Sequence, residues 1–521
     1  LARLKGYNSK PRIVAPQIAI QLRPGVARSR TVYRVPISPM NQYVIHDNSL
    51  ANATRAVSER VFFVEKNGIF QPPPAGNRRI FWRRLKPIFG KLTGMLGIGV
   101  PLSTEQFVDC YAGRRRTIYQ SAVDSLRVSP LVNKDSVIRA FVKAEKVNLT
   151  PAKPDPAPRL IQPRSPRYNV EVGVFLKPLE HKIYKIIDRI MGFGGKVVMK
   201  GLNALDRAAS IVHAWDQITN PVWISLDASR FDQHVRKYAL SWEHAVYTAH
   251  YRGVNAKILR RLLRQQLNNV GRVYLDDGVI KYTSDGGRAS GDMNTALGNV
   301  LLMCSMLYTF IKQYRINFRM IDDGDDCGLI VSASDIHLFY DDIRPWFETM
   351  GFTMKVATPV KMIPEIEFCQ TKPIFADGRW IMTRLVPNCI AKDCHTLLPL
   401  TSYKSVRNFY KSLGDCGLAL ASGVPVLQNF YLLYLRSSKG AKGFGTHTGL
   451  ESGMLNMSKG LTSKSSIITP LARLTFFIAF GIIPDAQIAF EKYLDSIECL
   501  LDEIETFKEP PLSFINMVNW I

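Results

Sequence analysis

Along this chain apolar positions alternate, run together or recur every three to four residues, and each pattern predicts an element. Residues 1 to about 75 read as an extended arm with a few strands, Val61 to Val64 among them, closed by a linker at Gln71-Pro72-Pro73-Pro74. Val137 to Lys146 (VIRAFVKAEK) reads as a strand, four prolines break Thr150 to Pro158, and Arg159 to Arg164 resumes as a strand. Pro221 to Leu226 is a continuous apolar run, the mark of a buried strand, and it ends in Asp227-Ala228-Ser229-Arg230-Phe231-Asp232. Tyr238 to Leu267 reads as mostly helical, with Trp242, Val246, His250 and Leu259 on packed faces. A glycine-rich loop from Thr283 to Gly291 leads into a long apolar helix, Asp292 to Tyr314, with Ala296, Val300, Met303, Leu307 and Phe310 on one face. Met320 to Val331 sets Asp322, Asp323, Gly324, Asp325 and Asp326 between two apolar runs, which reads as a β-hairpin with acids at its tip. An amphipathic helix is expected over Asp335 to Met350, and strands over Phe352 to Val356, Glu367 to Ile374 and Arg379 to Leu385. The remainder, 390 to 521, reads as mostly helical, with a flexible loop at Gly440 to Gly449 and no internal repeat.

Composition changes this picture in one respect. With 521 residues, 46% hydrophobic, the chain can bury a large core in several lobes, which excludes disorder over most of its length. Its formal net charge is +25, from 68 Lys and Arg against 43 Asp and Glu, and predicts a polyanionic partner, either nucleic acid or an anionic membrane surface. The first 120 residues hold 20 of the basic and 5 of the acidic residues. Arg78 to Lys86 interleaves aromatics with cations, as phosphate contact plus base stacking requires and as an amphipathic surface helix equally permits; Arg114-Arg115-Arg116 carries the same two readings. Eight cysteines without framework spacing, and no secretory signal, fit a reducing intracellular setting. Cys389, Cys394 and His395 raise a zinc site, but a fourth ligand at a recognisable spacing is missing, so ordinary thiols are the favoured reading. The longest apolar run, Leu474 to Ile483, is ten residues, against the roughly 20 that a membrane span needs. The chain opens on Leu1 rather than Met, so the expectation is a processed product or the downstream part of a longer translation product.

Candidate chemistry centres on the acids. An aspartate ending a buried strand is costly unless paired or metal-bound. Two strands of one sheet can bring Asp227 together with Asp325 and Asp326, which is what two-metal phosphoryl transfer requires. Mg²⁺ takes oxygen ligands and keeps water and substrate phosphates in its shell, so two or three carboxylates suffice, with Mn²⁺ as the alternative ion. The glycine loop permits close backbone approach to a ligand, and Thr295 and Asn299, four apart on one helix face, look toward whatever it holds. Lys143, Lys146, Lys153, Arg159 and Arg164 lie along the two strands around the proline loop, where they could meet a triphosphate.

The three segments Asp227 to Asp232, Ser290 to Asn299 and Gly324-Asp325-Asp326 resemble, in order and spacing, motifs A, B and C of viral RNA-dependent RNA polymerases, most nearly those of the tombusvirus and luteovirus type and more distantly the flavivirus-like ones. Lys143 to Glu180 resembles motif F and Glu367 to Ile374 motif E, so the likeness covers most of 140 to 385. The resemblance implies an α+β right-hand fold with an antiparallel palm sheet: a basic N-terminal extension over 1–75, fingers over 76–220, palm over 221–235, a fingers insertion over 236–285, palm over 286–385 and thumb over 386–521. It implies metal ligation by Asp227 and Asp325 with Asp326 in support, and recognition of the ribose 2′-hydroxyl by Asp232 and Asn299. Ser290 and Thr295 would shape that pocket, with Gly291 giving the loop its mobility. Arg159, with Lys143 and Arg164, would neutralise the incoming triphosphate. Lys355, with Lys361 in reserve, would protonate the leaving pyrophosphate, and Arg379 and Arg384 would contact the nascent strand or initiating nucleotide. One departure stands out: Asp323 precedes Gly324 where related sequences often have Asn, and would shift metal affinity or face solvent.

The implied partners are an RNA template, a nascent strand, NTPs and a membrane-anchored viral replication protein or upstream fused region, in the host cytoplasm at membrane-associated replication complexes. The chain would then be a readthrough or frameshift product. Three rivals share part of the pattern. A reverse transcriptase would place a bulky aromatic where Asp232 stands. A non-catalytic RNA-binding scaffold would not need the acids, and a nucleocapsid-like protein would not need a buried strand ending in Asp227.

Overall fold

The computed structural model describes residues 2–35, 43–150, 154–444 and 452–498; Lys153, Cys499, the last part of the Gly440 to Gly449 loop and the chain beyond 498 lie outside the described residues. In chain order, the elements that frame the acids are strands β1 (Ile18–Leu22), β2 (Ile138–Val142), β3 (Leu160–Ile161), β4 (Pro221–Ala228), β5 (Asn268–Tyr274), β6 (Gly278–Asp285), β7 (Phe318–Asp322), β8 (Asp326–Ser332) and β9 (Met354–Val356). The helices are α1 (Leu50–Val57), α2 (Arg78–Leu96), α3 (Pro166–Met191), α4 (Ala204–Trp215), α5 (Lys237–Ala249) and α6 (Thr295–Lys312).

The apolar run of β4 has no polar face to give to water, so it is buried in the middle of a sheet ordered β7-β8-β4-β9. Every pairing in that sheet is antiparallel, and β4 runs against β8 in one unbroken register, from Pro221 opposite Ser332 to Asp227 opposite Asp326. Gly328, opposite Ser225, leaves room for the indole of Trp223: a β-carbon there would lie 2.1 Å from the ring. Helix α6 runs through the core behind this sheet, with Val300, Met303, Leu307 and Phe310 fully buried. It is long and apolar enough to cross a membrane, but 78% of it is buried against protein, as in a core helix.

A second sheet, ordered β1-β6-β5-β2-β3, is antiparallel except for the parallel β5–β2 pair. One face of it, with Ile138, Ala140, Val142, Val273, Ile280 and Tyr282, packs on Ala53, Ala56 and Val57 of α1. A separate core gathers the helices Tyr403–Ala421, Leu427–Arg436, Pro470–Phe480 and Pro484–Ser496 around the hairpin Thr371–Ala376/Arg379–Arg384 and α4.

Three expectations change, and the two-way reading of Arg78 to Lys86 gains a helix. The first 75 residues are not an extended arm: β1 supplies an edge of the second sheet, and the strand Thr31–Arg34 pairs with both Ala2–Lys5 and His395–Thr396, tying the start of the chain to its last third. Val61 to Val64 is not one strand, because the helical turn Ser58–Phe62 runs into it and extended pairing begins at Val64. Helix over Asp335 to Met350 shrinks to Ile343–Thr349, preceded by 3-10 turns, because Pro345 lacks an N–H and is tolerated only within the first turn. Arg78 to Lys86 is the start of the amphipathic helix α2, with Phe81, Leu85, Ile88, Leu92 and Leu96 buried and the Arg84 guanidinium 4.7 Å from the Trp346 ring centroid.

Because the Trp223 ring fills the space a side chain at Gly328 would occupy, Gly328→Ala is expected to destabilise the protein by roughly 1–3 kcal/mol, as overpacking does. Thermal unfolding of the purified variant checks this, and an unchanged midpoint would show that the ring moves aside freely.

Candidate active site

Sheet register brings the acids together. Asp227, next to last in β4, lies opposite Asp326 at the start of β8 and opposite Lys355 in β9. The Lys355 Nζ donates to Asp227 Oδ2 at 3.1 Å, and both side chains are exposed. Asp325 occupies the β7–β8 turn, and its carbonyl accepts from the Ala228 N–H at 3.4 Å. The turn needs glycine at 324, where φ is +102°. Burial, followed by the charges of Asp325 and Asp227, pushes the Asp326 carboxyl up to about 6. Asp227, Asp325 and Asp326 therefore form one repelling group of hard oxygen donors, the chemistry that a divalent ion of the Mg²⁺ class satisfies. Among the described residues no three His, Cys, Asp or Glu side chains already surround a common point.

The other two acids of the hairpin have structural partners. Asp322 is fully buried; its Oδ2 accepts the Gly324 N–H at 3.0 Å, and burial raises its carboxyl well above the usual range. Asp323 does not face solvent: it is ion-paired to Lys200 Nζ at 2.8 Å and to Arg207 Nη2 at 2.7 Å, and its side chain is only 10% exposed. Lys200 and Arg207 thus anchor the turn from the chain segment entering α4 and from α4 itself.

The glycine loop lies against the residues after β4. Gly287 N–H donates to the Val235 carbonyl and Arg288 N–H to the Asp232 carbonyl, at 2.9 and 2.8 Å. Asn299 Nδ2 donates to Asp232 Oδ1 at 2.9 Å, while Asn299 Oδ1 is buried without a hydrogen-bond partner among the described residues. Burial raises the Asp232 carboxyl, and the Asn299 hydrogen bond opposes that rise. Ser290 Oγ accepts the Gln162 N–H at 3.2 Å and donates to the Leu160 carbonyl at 3.4 Å. Gly291 is placed by close approach: a β-carbon would lie 2.6 Å from Pro163 Cα. The Thr295 hydroxyl turns back to the Ala289 and Asp292 carbonyls, both at 2.9 Å, in the residues just before α6.

Pairing of β2 with β3 brings Lys143 beside Arg159, and both contact Glu145 Oε2, at 2.8 and 3.4 Å. Arg164 is elsewhere. Its buried guanidinium is ion-paired to Asp292 and hydrogen-bonded to Asn269 Oδ1 and the Ser136 carbonyl, both at 2.6 Å, so it joins the motif F segment to the glycine loop and is not open to a triphosphate. Arg384 is likewise committed, to the buried Asp393 at 2.7 and 2.9 Å, and is not placed to touch a nascent strand; Arg379 stays exposed, 3.7 Å from Asp377. Lys361 is exposed on the turn after β9, and its backbone N–H donates to Glu365. Cys394 Sγ donates to the Ile390 carbonyl at 2.9 Å and His395 Nδ1 meets the Ala391 carbonyl at 2.8 Å.

Sequence reasoning missed the charges that hold the site from behind. Glu243 on α5 is fully buried, ion-paired to the buried Arg288, and accepts from Asn294 Nδ2 at 2.6 Å and the Tyr247 hydroxyl at 2.9 Å. Gln266 Nε2 extends the network to Asn294 Oδ1 at 3.0 Å. The available signal was a charged residue inside an apolar helical face, Trp242-Glu243-His244-Ala245-Val246, which demands a buried cation nearby.

A carboxyl raised to about 6 in the folded protein, against 3.8 ordinarily, holds its proton longer when folded than when unfolded, so stability falls as pH rises through that interval. Asp326→Asn is therefore expected to remove this loss and, in the presence of a chelator at neutral pH, to raise stability by on the order of 2 kcal/mol. Melting temperatures from pH 4 to pH 8 check this; a variant curve parallel to that of the unaltered protein would refute the repulsion.

Comparison with known proteins fits this arrangement. A family described as viral RNA dependent RNA polymerase matches residues 19–502. The chain is 40% identical over 460 residues to the RNA-directed RNA polymerase of Tobacco necrosis virus (strain A), covering 88% of this chain and 63% of the relative. It is 39% identical over 476 residues to that of Turnip crinkle virus, covering 88% and 58%, and 40% identical over 463 residues to that of Carnation mottle virus, covering 88% and 59%. The chain thus spans less than two thirds of the length of these relatives. With Asp227 set opposite Asp326 in the sheet and the match running through almost the whole described chain, this protein belongs to the viral RNA dependent RNA polymerase family.

Proposed function

We propose that the chain is an RNA-directed RNA polymerase that copies a positive-strand viral RNA by nucleotidyl transfer from NTPs. The observation that carries this reading is the register that sets Asp227 between Asp326 and Lys355 at the ends of three adjacent strands. In this reading β4 and β7 to β9 form the palm, 76–220 with the 236–285 insertion the fingers, 386–521 the thumb, and 1–75 an extension woven into both. The 3′-hydroxyl of the growing strand gives its proton to solvent as its oxygen attacks the α-phosphorus of the NTP, the bond to pyrophosphate breaks, and the departing oxygen takes a proton.

Mg²⁺, or Mn²⁺ in its place, held by Asp227, Asp325 and Asp326, would supply the Lewis acidity that activates the hydroxyl and neutralises phosphate charge. Lys355 holds a proton on Nζ beside Asp227, where the leaving pyrophosphate can take it. Arg159 and Lys143, exposed and half-exposed around Glu145, meet the triphosphate by exchanging that carboxylate for phosphate oxygens. Asp232 holds the Asn299 amide by its Nδ2, and the Asn299 Oδ1 accepts the one hydrogen bond that a ribose 2′-hydroxyl donates and a deoxyribose cannot. That pair favours ribonucleotide over deoxyribonucleotide substrates and speaks against reverse transcription. The remaining partners of this reading are the RNA template and a membrane-anchored viral replication protein or upstream region that places the enzyme at cytoplasmic membranes of the host.

Purified protein with RNA template, four NTPs and Mg²⁺ or Mn²⁺ is expected to incorporate labelled nucleotide, and Asp325→Ala to lose at least about 10³-fold of that rate, roughly 4 kcal/mol of transition-state stabilisation. Absence of incorporation by folded protein, or equal rates from the variant, would sink the proposal. Asn299→Ala is expected to narrow the preference for NTP over dNTP by about tenfold, the worth of one hydrogen bond. Competition between GTP and dGTP for incorporation measures it, and an unaltered ratio removes Asn299 from sugar recognition.

A further inference from the structure

The face of the second sheet opposite α1 is left open. Strand alternation turns Ile138, Ala140 and Val142 inward, so Arg139 and Phe141 point out; on β5 the same alternation exposes Val270, Arg272 and Tyr274. Pairing sets Arg139 opposite Arg272, and Arg272 opposite Lys281 on β6, which makes a row of three cations across three strands, spanning roughly 10 Å at the usual strand spacing. Like charges directly opposite one another destabilise a sheet. Among the described residues none of these three, nor the neighbouring Lys134, is ion-paired to an acid. Phe141, Val270 and Tyr274 are 43%, 44% and 50% exposed, large apolar surface standing between the cations. Lys134, Arg139, Arg272 and Tyr274 line a groove of about 400 Å³ with Asn133 and Asn268. The Arg272 guanidinium donates to the Tyr274 hydroxyl at 3.3 Å; that hydrogen bond, with the charges of Arg272, Arg139 and Lys134, lowers the phenol, so three cations converge on one exposed ring.

We propose that this open sheet face is a binding surface for single-stranded RNA outside the catalytic cleft, with Arg139, Arg272 and Lys281 on phosphates and Phe141 and Tyr274 under unpaired bases. Cations alone would suit any polyanion. The exposed rings select among them, since a base freed from pairing offers a π-face to stack and a duplex or an acidic polypeptide does not. The face is also continuous with the expected substrate cations: Lys143 follows Phe141 by two residues on β2's path, and its N–H bonds to the Arg159 carbonyl. The inference rests on the polymerase reading in taking the strand to be template not yet in the cleft.

The test uses the full chain and a long unstructured oligouridylate, with affinity measured against salt. Arg139→Ala/Arg272→Ala/Lys281→Ala is expected to weaken binding about tenfold at moderate salt and to reduce the log–log salt slope by about 2, the loss of three single-strand phosphate contacts. Tyr274→Ala is expected to weaken binding about fivefold or more with the slope unchanged, and Tyr274→Phe to retain it. Extension of a short primer–template at saturating concentration should be unaltered in all of these, which separates loss of this surface from damage to the cleft. Unchanged affinity and slope in the triple variant would overturn the proposal. So would equal losses on oligouridylate and polyglutamate with no effect of Tyr274→Ala, which would mark a docking face for an acidic protein. If the unaltered protein binds as expected but extends no primer, the polymerase reading fails and the binding result stands.

Discussion

Three carboxylates at the ends of adjacent strands repel one another, and much of the surrounding structure counters that repulsion. Asp227 and Asp326 face each other because β4 and β8 hold a single register over their whole length, and a slip of one residue would turn one acid to the opposite face of the sheet. The register is protected at its middle by Trp223, which fits only because Gly328 has no side chain, and at its end by the glycine at 324. On the open side Lys355 neutralises part of the charge; on the closed side Lys200 and Arg207 neutralise Asp323. The same hairpin therefore carries two acids in the repelling group and two, Asp322 and Asp323, with partners of their own.

A second constraint falls on the glycine loop, which must lie close to the strand after β4 without collapsing onto it. Its two ends are fixed by buried ion pairs of opposite polarity, Arg288 to Glu243 on α5 and Asp292 to Arg164 after β3. Burying such charges carries a desolvation cost that good geometry and further hydrogen bonds must offset, and removing one partner leaves the other uncompensated. Glu243 accepts from Asn294 and Tyr247 as well, and Arg164 donates to Asn269 and Ser136. With the loop held, the start of α6 that follows it sets Asn299 against Asp232 at 2.9 Å.

The acidic hairpin, β4 and the core helix α6 were legible in the sequence because their apolar runs leave one way to be buried. The pairing of Asp232 with Asn299 was legible only through the family resemblance, since the two are far apart in the chain. What escaped was the direction of long polar side chains. Arg164, Arg384 and Thr295 each turn to a partner that no local pattern reveals: the aspartate just after the glycine loop, an aspartate nine residues on, and two carbonyls in the residues before α6. Asp323 escaped for the same reason, as its cations come from a segment more than a hundred residues earlier. The first 75 residues misled through composition: proline and arginine suggest a free arm, but an edge strand also tolerates both when its partner is a sheet.

Net charge by itself overstates the surface available to a polyanion. Of the basic residues, Arg55, Arg164, Arg288 and Arg384 are buried or nearly so and spend their charge on Glu59, Asp292, Glu243 and Asp393. Arg12, Lys200, Arg207 and Arg473 are paired at the edges of the cores. Among the described residues, the cations left to meet RNA are those that remain without acids, and these are not scattered evenly. Where they line up on neighbouring strands, as Arg139, Arg272 and Lys281 do, the sheet tolerates a repulsion that a single substitution to an acid would relieve. Among the described residues the fold pairs its inner cations with acids and leaves that row unpaired among exposed rings, which is where a counter-charge from outside those residues has most to gain.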